Sequence, residues 1–303
     1  MPDYVAVVGA INIDIWGKSA GDVILRDSNP GEIRFSPGGV GRNISHNLAL
    51  LGTDVRMLTA LGEDVWAASV EESCRSIGIG LREAIRVPGG RTSSYLYVTG
   101  PEGELTVGVC DADIASHITP EVIERKLDFL CGAALVVFDG NLTKETIDCL
   151  TRRCTVPLFA DPVSVTKAQK LRPFLDRIHT LKPNTLEAEA LTGLSDPEAA
   201  ANALVRAGVR HAFVSDGANG IYAASAAEAY HVPCCSTQLL NCTGGGDAVM
   251  AALCRSHLLG YGLRRCAAYA MAAGSIAVEC AETISPDMNE TNVLARMGEA
   301  ESL

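Results

Sequence analysis

The stretch LVVFDGNLTKETIDCLTRRCTVPLFAD, residues 135–161, reads as strand, helix, strand. Leu135–Asp139 and Pro157–Asp161 are short apolar runs, and Lys144–Arg153 between them is helical in character. Strands joined through a helix lie parallel in one sheet. Uninterrupted apolar runs are what such strands need when helices cover both faces. The pattern spreads outward to strands at Tyr4–Gly9, Val55–Leu61, His179–Lys182 and His211–Ser215. Helical stretches lie near Gly41–Leu51, Val65–Ile77, Pro120–Leu130, Leu186–Thr192 and Pro197–Ala207. In the first of them Ile44, Leu48 and Leu51 fall at i, i+4 and i+7, with Gly52 as the stop. Beyond Asp247 the chain turns almost wholly helical. The expected fold is α/β, a doubly wound, mostly parallel central sheet with helices on both faces.

Two stretches break the alternation. Ile15 to Phe35 is irregular, with Gly17, Gly21, Pro30 and Gly31. Thr92 to Val109 reads as a hairpin: SSYLYV, a turn at GPEGE, then LTVGV. Both fit a small sheet standing off the main domain, and both also fit surface excursions. No internal repeat or low-complexity linker interrupts the 303 residues, a length that suits one large domain with an appendage or two ordinary ones.

A net charge of −11 argues against nucleic acid and anionic membrane as partners. With 48% hydrophobic and 20% charged residues the composition is that of a folded globule. The start, MPDYVAVVGAINIDI, has neither a basic leader nor a small-residue cleavage site, so no signal peptide is expected. Ala267 to Ala281 is apolar but built of small residues around Gly274 and Ser275, and reads as a buried helix rather than a membrane span. Eleven cysteines without CxxC spacing, Cys234 and Cys235 adjacent, suit reduced thiols in a cytoplasm.

The strongest local signal is NCTGGGDAVMAAL, Asn241 to Leu253. Gly244, Gly245 and Gly246 allow close backbone approach at the start of a helix, whose positive end suits an anion. Asp247 follows in the first turn, where a carboxylate can take a proton from an attacking hydroxyl. Read alone, the segment is equally a glycine turn with an aspartate cap. A second glycine loop stands in SPGGVGRNISHNLALLG, Ser36 to Gly52, with Asn43 early in the following helix. It lacks the Lys-Ser/Thr ending of a Walker loop and is not a dinucleotide fingerprint.

The two glycine motifs together, some 200 residues apart, resemble the paired signatures of the ribokinase (PfkB-type) family of sugar and nucleoside kinases. The similarity runs from INID (11–14) through DPVS (161–164), LKPNTLEAE (181–189) and SDGANG (215–220) to the last helices. DSNPGEIRFSPGGVGRN (27–43) and IHTLKPNTLEAE (178–189) resemble the pseudouridine kinases in particular. The resemblance implies one kinase domain over residues 1–303, with a small β lid from about 15–35 and 92–110. It implies sugar binding by Asn12, Asp14, Gly39, Asn43 and Asn141, the last standing where ribokinase itself has Glu. It implies that Asn184 and Glu187 organise magnesium and phosphate through water, with no direct protein ligand to the metal expected. The same two residues also read as a helix cap with its third-position partner. Ser215, Gly217 and Gly220 match the nucleotide-binding strand and turn, and the helix around Gly274 would flank adenine. Gly244, Gly245, Gly246 and Asp247 match the anion hole and base.

The activity implied is ATP- and Mg²⁺-dependent phosphorylation of a nucleoside 5′-hydroxyl, that of pseudouridine first, in a cytoplasmic homodimer joined through the lid. Asp27, Ser28 and Asn29 are the candidates to read the base. Another sugar or nucleoside acceptor, or a non-catalytic sugar- or nucleoside-binding regulator on the same fold, are the competing readings. Gly245 replaces the alanine common in the family, and Asn241 replaces an aspartate that helps hold a monovalent cation, which leaves potassium open. His46 and His211 read as ordinary structural histidines. Trp16 could stack on a base or pack under the lid, and Lys167 could contact substrate or solvent.

Overall fold

The computed structural model describes residues 4–235 and 238–301. In chain order the first half comprises β1 (Tyr4–Val8), β2 (Asn12–Ser19), β3 (Gly31–Gly38), α1 (Val40–Leu50), β4 (Asp54–Leu58) and β5 (Ala60–Leu61). Then come α2 (Val65–Ser76), β6 (Ile79–Gly80), β7 (Ile85–Arg86), β8 (Ser94–Thr99), β9 (Leu105–Asp111), α3 (Pro120–Arg125) and α4 (Leu127–Cys131). The stretch quoted above supplies β10 (Leu135–Asp139), α5 (Lys144–Arg153) and β11 (Leu158–Asp161). The remainder is α6 (Val165–Ala168), β12 (Thr180–Leu181), α7 (Thr185–Thr192), α8 (Pro197–Arg206) and β13 (His211–Ser215). It closes with β14 (Ile221–Ser225), β15 (Ala229–Val232), α9 (Gly245–Leu258), α10 (Leu263–Val278) and α11 (Glu290–Glu301).

Nine strands form the main sheet in the order β15-β14-β13-β12-β11-β10-β1-β4-β6. All neighbours from β13 to β6 are parallel, and β14 and β15 add an antiparallel edge. Alternate residues of each strand feed two cores. Val5, Val7, Leu135 and Val137 face Ile44, Leu48, Leu253 and Tyr269 of α1, α9 and α10. Ala6, Val8, Val136 and Phe138 face Ile147, Leu150, Ala188 and Leu204 of α5, α7 and α8. Both sides of the sheet are thus dry, which is why its strands read as unbroken apolar runs. Each such fully buried aliphatic or phenyl side chain contributes about 1.5–3 kcal/mol.

The strand order reverses at β1, which lies between β4 on one side and β10 on the other. The connections leaving β1 and β10 therefore part company, opening a crevice at the carboxyl ends of these strands. Asp139, the last residue of β10, spans it, accepting hydrogen bonds from the Ala10 and Asn141 amides, both at 2.9 Å.

A separate four-stranded sheet runs in the order β3-β2-β8-β9. The hairpin expected at 92–109 is present as β8 and β9. Ile15–Phe35, read as irregular, instead holds most of two paired strands, Asn12 opposite Gly38 and Ser19 opposite Gly31. Its glycines and Pro30 hid the alternation: Gly17 sits inside the first of these strands, Gly31 opens the second, and Gly21 and Pro30 lie in the loop 20–30. Val55–Leu61 also splits: β4 stays in the main sheet while β5 turns off to pair with β7. Every cysteine is unpaired, Cys234 and Cys235 included. No helix among the described residues is long and apolar enough to cross a membrane.

Candidate active site

The two glycine motifs, distant in sequence, meet. α1 packs against α9, and the Asn43 carboxamide donates to Asp247 Oδ2 at 3.0 Å across 204 residues of chain. Gly244 opens α9 with φ +83, and a Cβ there would lie 2.2 Å from the Thr283 carbonyl oxygen. Only glycine fits that corner. The first helical bond runs from the Ala248 amide to the Gly244 carbonyl, so the amides at the head of α9 lack helical acceptors, and that of Gly245 reaches back only to the Cys242 carbonyl at 3.4 Å.

Asp247 keeps partial solvent access but is crowded by protein. Desolvation pushes its carboxyl up to about 8, the Asp161 carboxylate adding to the shift; the Asn43 hydrogen bond and the Lys182 ammonium pull the other way. A base poised near neutral pH is what abstraction of a hydroxyl proton asks for.

On the facing side Asn12, Asp14 and Trp16 alternate along β2 and so share a face. Asn12 Nδ2 donates to Asp14 Oδ1, and desolvation raises Asp14 to about 6 against that bond. Gly39, with φ +96, passes so close that a Cβ would sit 2.6 Å from Asn12 Oδ1. The second sheet and α1 wall a cavity of about 580 Å³, a size that takes a small ligand. Trp16, Arg34, Arg42, His46 and Tyr97 line one side, and Asn241, Thr243 and Thr283 the other. Trp16 is fixed in this wall, its indole N–H donating to Thr99 Oγ1 at 2.9 Å under the Arg34 guanidinium.

Asn141 follows Asp139 at the crevice, and Lys167 Nζ donates to its Oδ1 at 2.6 Å. That contact gives Lys167 a partner in Asn141, whose side chain also hydrogen-bonds the Asp139 carboxyl. Asn184 and Glu187 form a complete capping box on α7, each backbone amide donating at 2.9 Å to the other's side chain. Ser215 lies beside them, its amide donating to the Pro183 carbonyl. Gly217 is exposed in the turn that follows, and Gly220 is buried against the Val232 carbonyl. Gly274 is buried, and a Cβ there would meet Val249 of α9 at 2.9 Å, so its smallness serves the packing of α9 on α10.

Asp27, Ser28 and Asn29 are not brought to the cavity. Asp27 and Ser28 are exposed, and the polar groups of Asp27 and Asn29 bond within their own loop, Asn29 to Ile24 and Asp27 to the Ser28 amide. His46, set aside on sequence grounds, lines the cavity with Nδ1 unpartnered, and desolvation lowers it to about 4. His211 does belong to structure, packed edge-on against His179. Sequence reasoning missed Arg42, Asp139, Asp161 and Lys182. Arg42 is buried in the cavity wall with Nε unpartnered. Asp139 and Asp161 each close a central strand on a charge, the one signal that would have marked them.

The profile of the pfkB family carbohydrate kinases matches residues 2–291. The chain is 37% identical to the pseudouridine kinase of Escherichia coli, the match covering 99% of this chain and 98% of that one. It is 34% identical to an uncharacterised sugar kinase of the same organism, covering 97% of this chain and 83% of the other. Among solved structures, a carbohydrate kinase from Agrobacterium tumefaciens superposes with a TM-score of 0.87 at 29% identity, covering 98% and 97% of the two chains.

Proposed function

Because the chain belongs to the pfkB family of carbohydrate kinases, and so is a phosphotransferase acting on a hydroxyl, we propose that it transfers the ATP γ-phosphate to the 5′-hydroxyl of pseudouridine. One observation carries the mechanism: Asn43 and Asp247, from the two signature motifs, are hydrogen-bonded at the mouth of α9. In-line attack by the 5′-oxygen forms the new P–O bond as the bond to the ADP leaving group breaks, and Asp247 takes the hydroxyl proton. The amides of Gly244, Gly245 and Gly246 meet the charge on the transferring group. Phosphoryl transfer needs positioning and electrostatics above all, and these residues offer both. Asn12, Asp14, Gly39, Asn43 and Asn141 hold the ribose, and Ser215, Gly217 and Gly220 the nucleotide.

Mg²⁺, when bound with ATP, neutralises phosphate charge. Glu187 Oε2 and Asn184 Oδ1 already serve the capping box, a donor set that suits contact through water better than direct ligation. Gly274, being buried, supports the adenine site only from behind.

The substrate rests on the 37% identity to a pseudouridine kinase. The 34% identity to a sugar kinase favours, as second reading, a different acceptor of the same class. Pseudouridine keeps a ring N–H that uridine lacks, and an acceptor built to meet it stays buried and unpaired when uridine binds. Asp27, Ser28 and Asn29 would supply that acceptor once the second sheet closes as a lid. A panel of pseudouridine, uridine, adenosine, ribose and fructose tests the reading. Pseudouridine is expected to exceed uridine at least about a hundredfold in kcat/KM, and Asp27→Ala or Asn29→Ala to narrow that gap. Equal rates, or preference for adenosine or a hexose, would overturn the substrate and leave the phosphotransferase.

The outer face of the second sheet supports a homodimer. Ile33, Val98 and Val107 fall in one cross-strand row and Phe35, Leu96 and Val109 in the next, with Ile33, Leu96, Val107 and Val109 between 42% and 66% exposed. Such a contiguous apolar face calls for cover. Sedimentation is expected to find a dimer that Val109→Glu dissociates; a monomeric parent would contradict it.

Asn241 bears on potassium. Its Nδ2 donates to the Ala281 carbonyl at 3.1 Å and its Oδ1 accepts from the Thr243 amide at 2.9 Å. The carboxamide thus already ties its own loop to the segment at Ala281 and leaves no carboxylate there for a cation. Activation by potassium over a choline background is expected to stay below about tenfold; an absolute requirement would refute this.

A further inference from the structure

Lys182 follows β12 with its side chain only 5% exposed. Burying an ammonium costs several kcal/mol unless its surroundings compensate, and an apolar residue of similar volume would often serve stability as well or better. The compensation here is sparse. Nζ lies 3.2 Å from Asp161 Oδ2, its one ion-pair partner among the described residues, although an ammonium has three donors. The Glu187 and Asp247 carboxylates also act on it electrostatically.

The direction in which the ammonium is open is informative. A Cβ built on Gly246 would stand 3.3 Å from Lys182 Nζ. The ammonium therefore lies against the first turn of α9 at the one glycine whose missing side chain leaves the way clear. An anion seated at the amides of that turn would be met by Lys182 from the side of the sheet.

Resting on the kinase reading above, we propose that Lys182 is a catalytic residue: its ammonium leaves Asp161 to bind the transferring phosphoryl group beside Gly246. It keeps its proton throughout. The bond between phosphorus and the ADP oxygen breaks, the bond to the acceptor oxygen forms, Asp247 takes the acceptor's proton, and Lys182 offsets the added charge on the phosphoryl oxygens. Asp161 holds the ammonium in place when no phosphate is there. A full charge supplied by the protein in a water-poor cleft acts strongly on a transition state of this kind.

The test compares the parent with Lys182→Met and with the double variant Lys182→Met/Asp161→Asn. The second removes both charges at once, so it folds even if the single variant, left with an unpaired buried carboxylate, does not. Calorimetry measures the binding of ADP and of the non-hydrolysable ATP analogue AMP-PNP, both with Mg²⁺. In the folded variants AMP-PNP is expected to lose at least about tenfold in affinity, while ADP stays within about threefold of the parent. Turnover is expected to fall at least about 10²-fold. If the double variant binds both nucleotides as the parent does and turns over normally, Lys182 only balances Asp161 and the proposal fails. The binding arm needs no acceptor: a parent that phosphorylates neither nucleoside nor sugar would defeat the kinase reading while leaving the AMP-PNP result to judge Lys182.

Discussion

The hydrogen bond between Asn43 and Asp247 is the constraint on which the rest of the arrangement depends. It joins α1, the helix that follows β3, to α9, the helix that opens on the glycine turn Gly244–Gly246. To form, α1 and α9 must both lie on the same face of the main sheet with their amino ends at the crevice. The parallel order around β1 provides this, because every strand from β6 to β13 points its carboxyl end the same way. Two positive-φ glycines, Gly39 and Gly244, then bring the helix starts close enough for side chains to touch.

The same crowding sets the chemistry of Asp247 and its cost. An ordinary aspartate titrates near 3.9 in an unfolded chain, and burial lifts this one to about 8. Folding therefore favours the protonated carboxyl. Its contribution to stability is fully present below the unfolded value and is lost as pH rises through about 8. The proposed role as base needs the opposite form, the free carboxylate. Lys182 and Asn43 both draw Asp247 toward that form, whereas Asp161 opposes it. A site arranged for stability alone would not hold these charges together, so their presence is better explained by function.

Much of this was legible beforehand. The main sheet was readable because both of its faces are covered, so Leu135–Phe138 and Ala212–Val214 are unbroken apolar runs. The second sheet was half readable: β8 and β9 flank a recognisable turn, whereas β2 and β3 are joined across a glycine- and proline-containing loop that masks their pairing. Asn12, Asp14, Gly39, Asn43 and Asp247 were visible as motif residues, and they converge. Lys182 and Arg42 were not, because lysine and arginine in a sequence read as solvated and only the packing reveals them as buried. The base-reading role proposed for Asp27, Ser28 and Asn29 would need the second sheet to move, because their polar groups bond within their own loop.

The most direct test of Asp247 as the base is the turnover of Asp247→Asn beside the parent, from about pH 6 to about pH 10 around the titration expected near 8. Asn still accepts a hydrogen bond but cannot take the proton. Parent turnover should climb as pH rises through the titration of Asp247, while the variant should run at least about 10²-fold slower with no such climb. A variant that turns over near the parent's rate, or that shows the same rise with pH, would contradict the assignment.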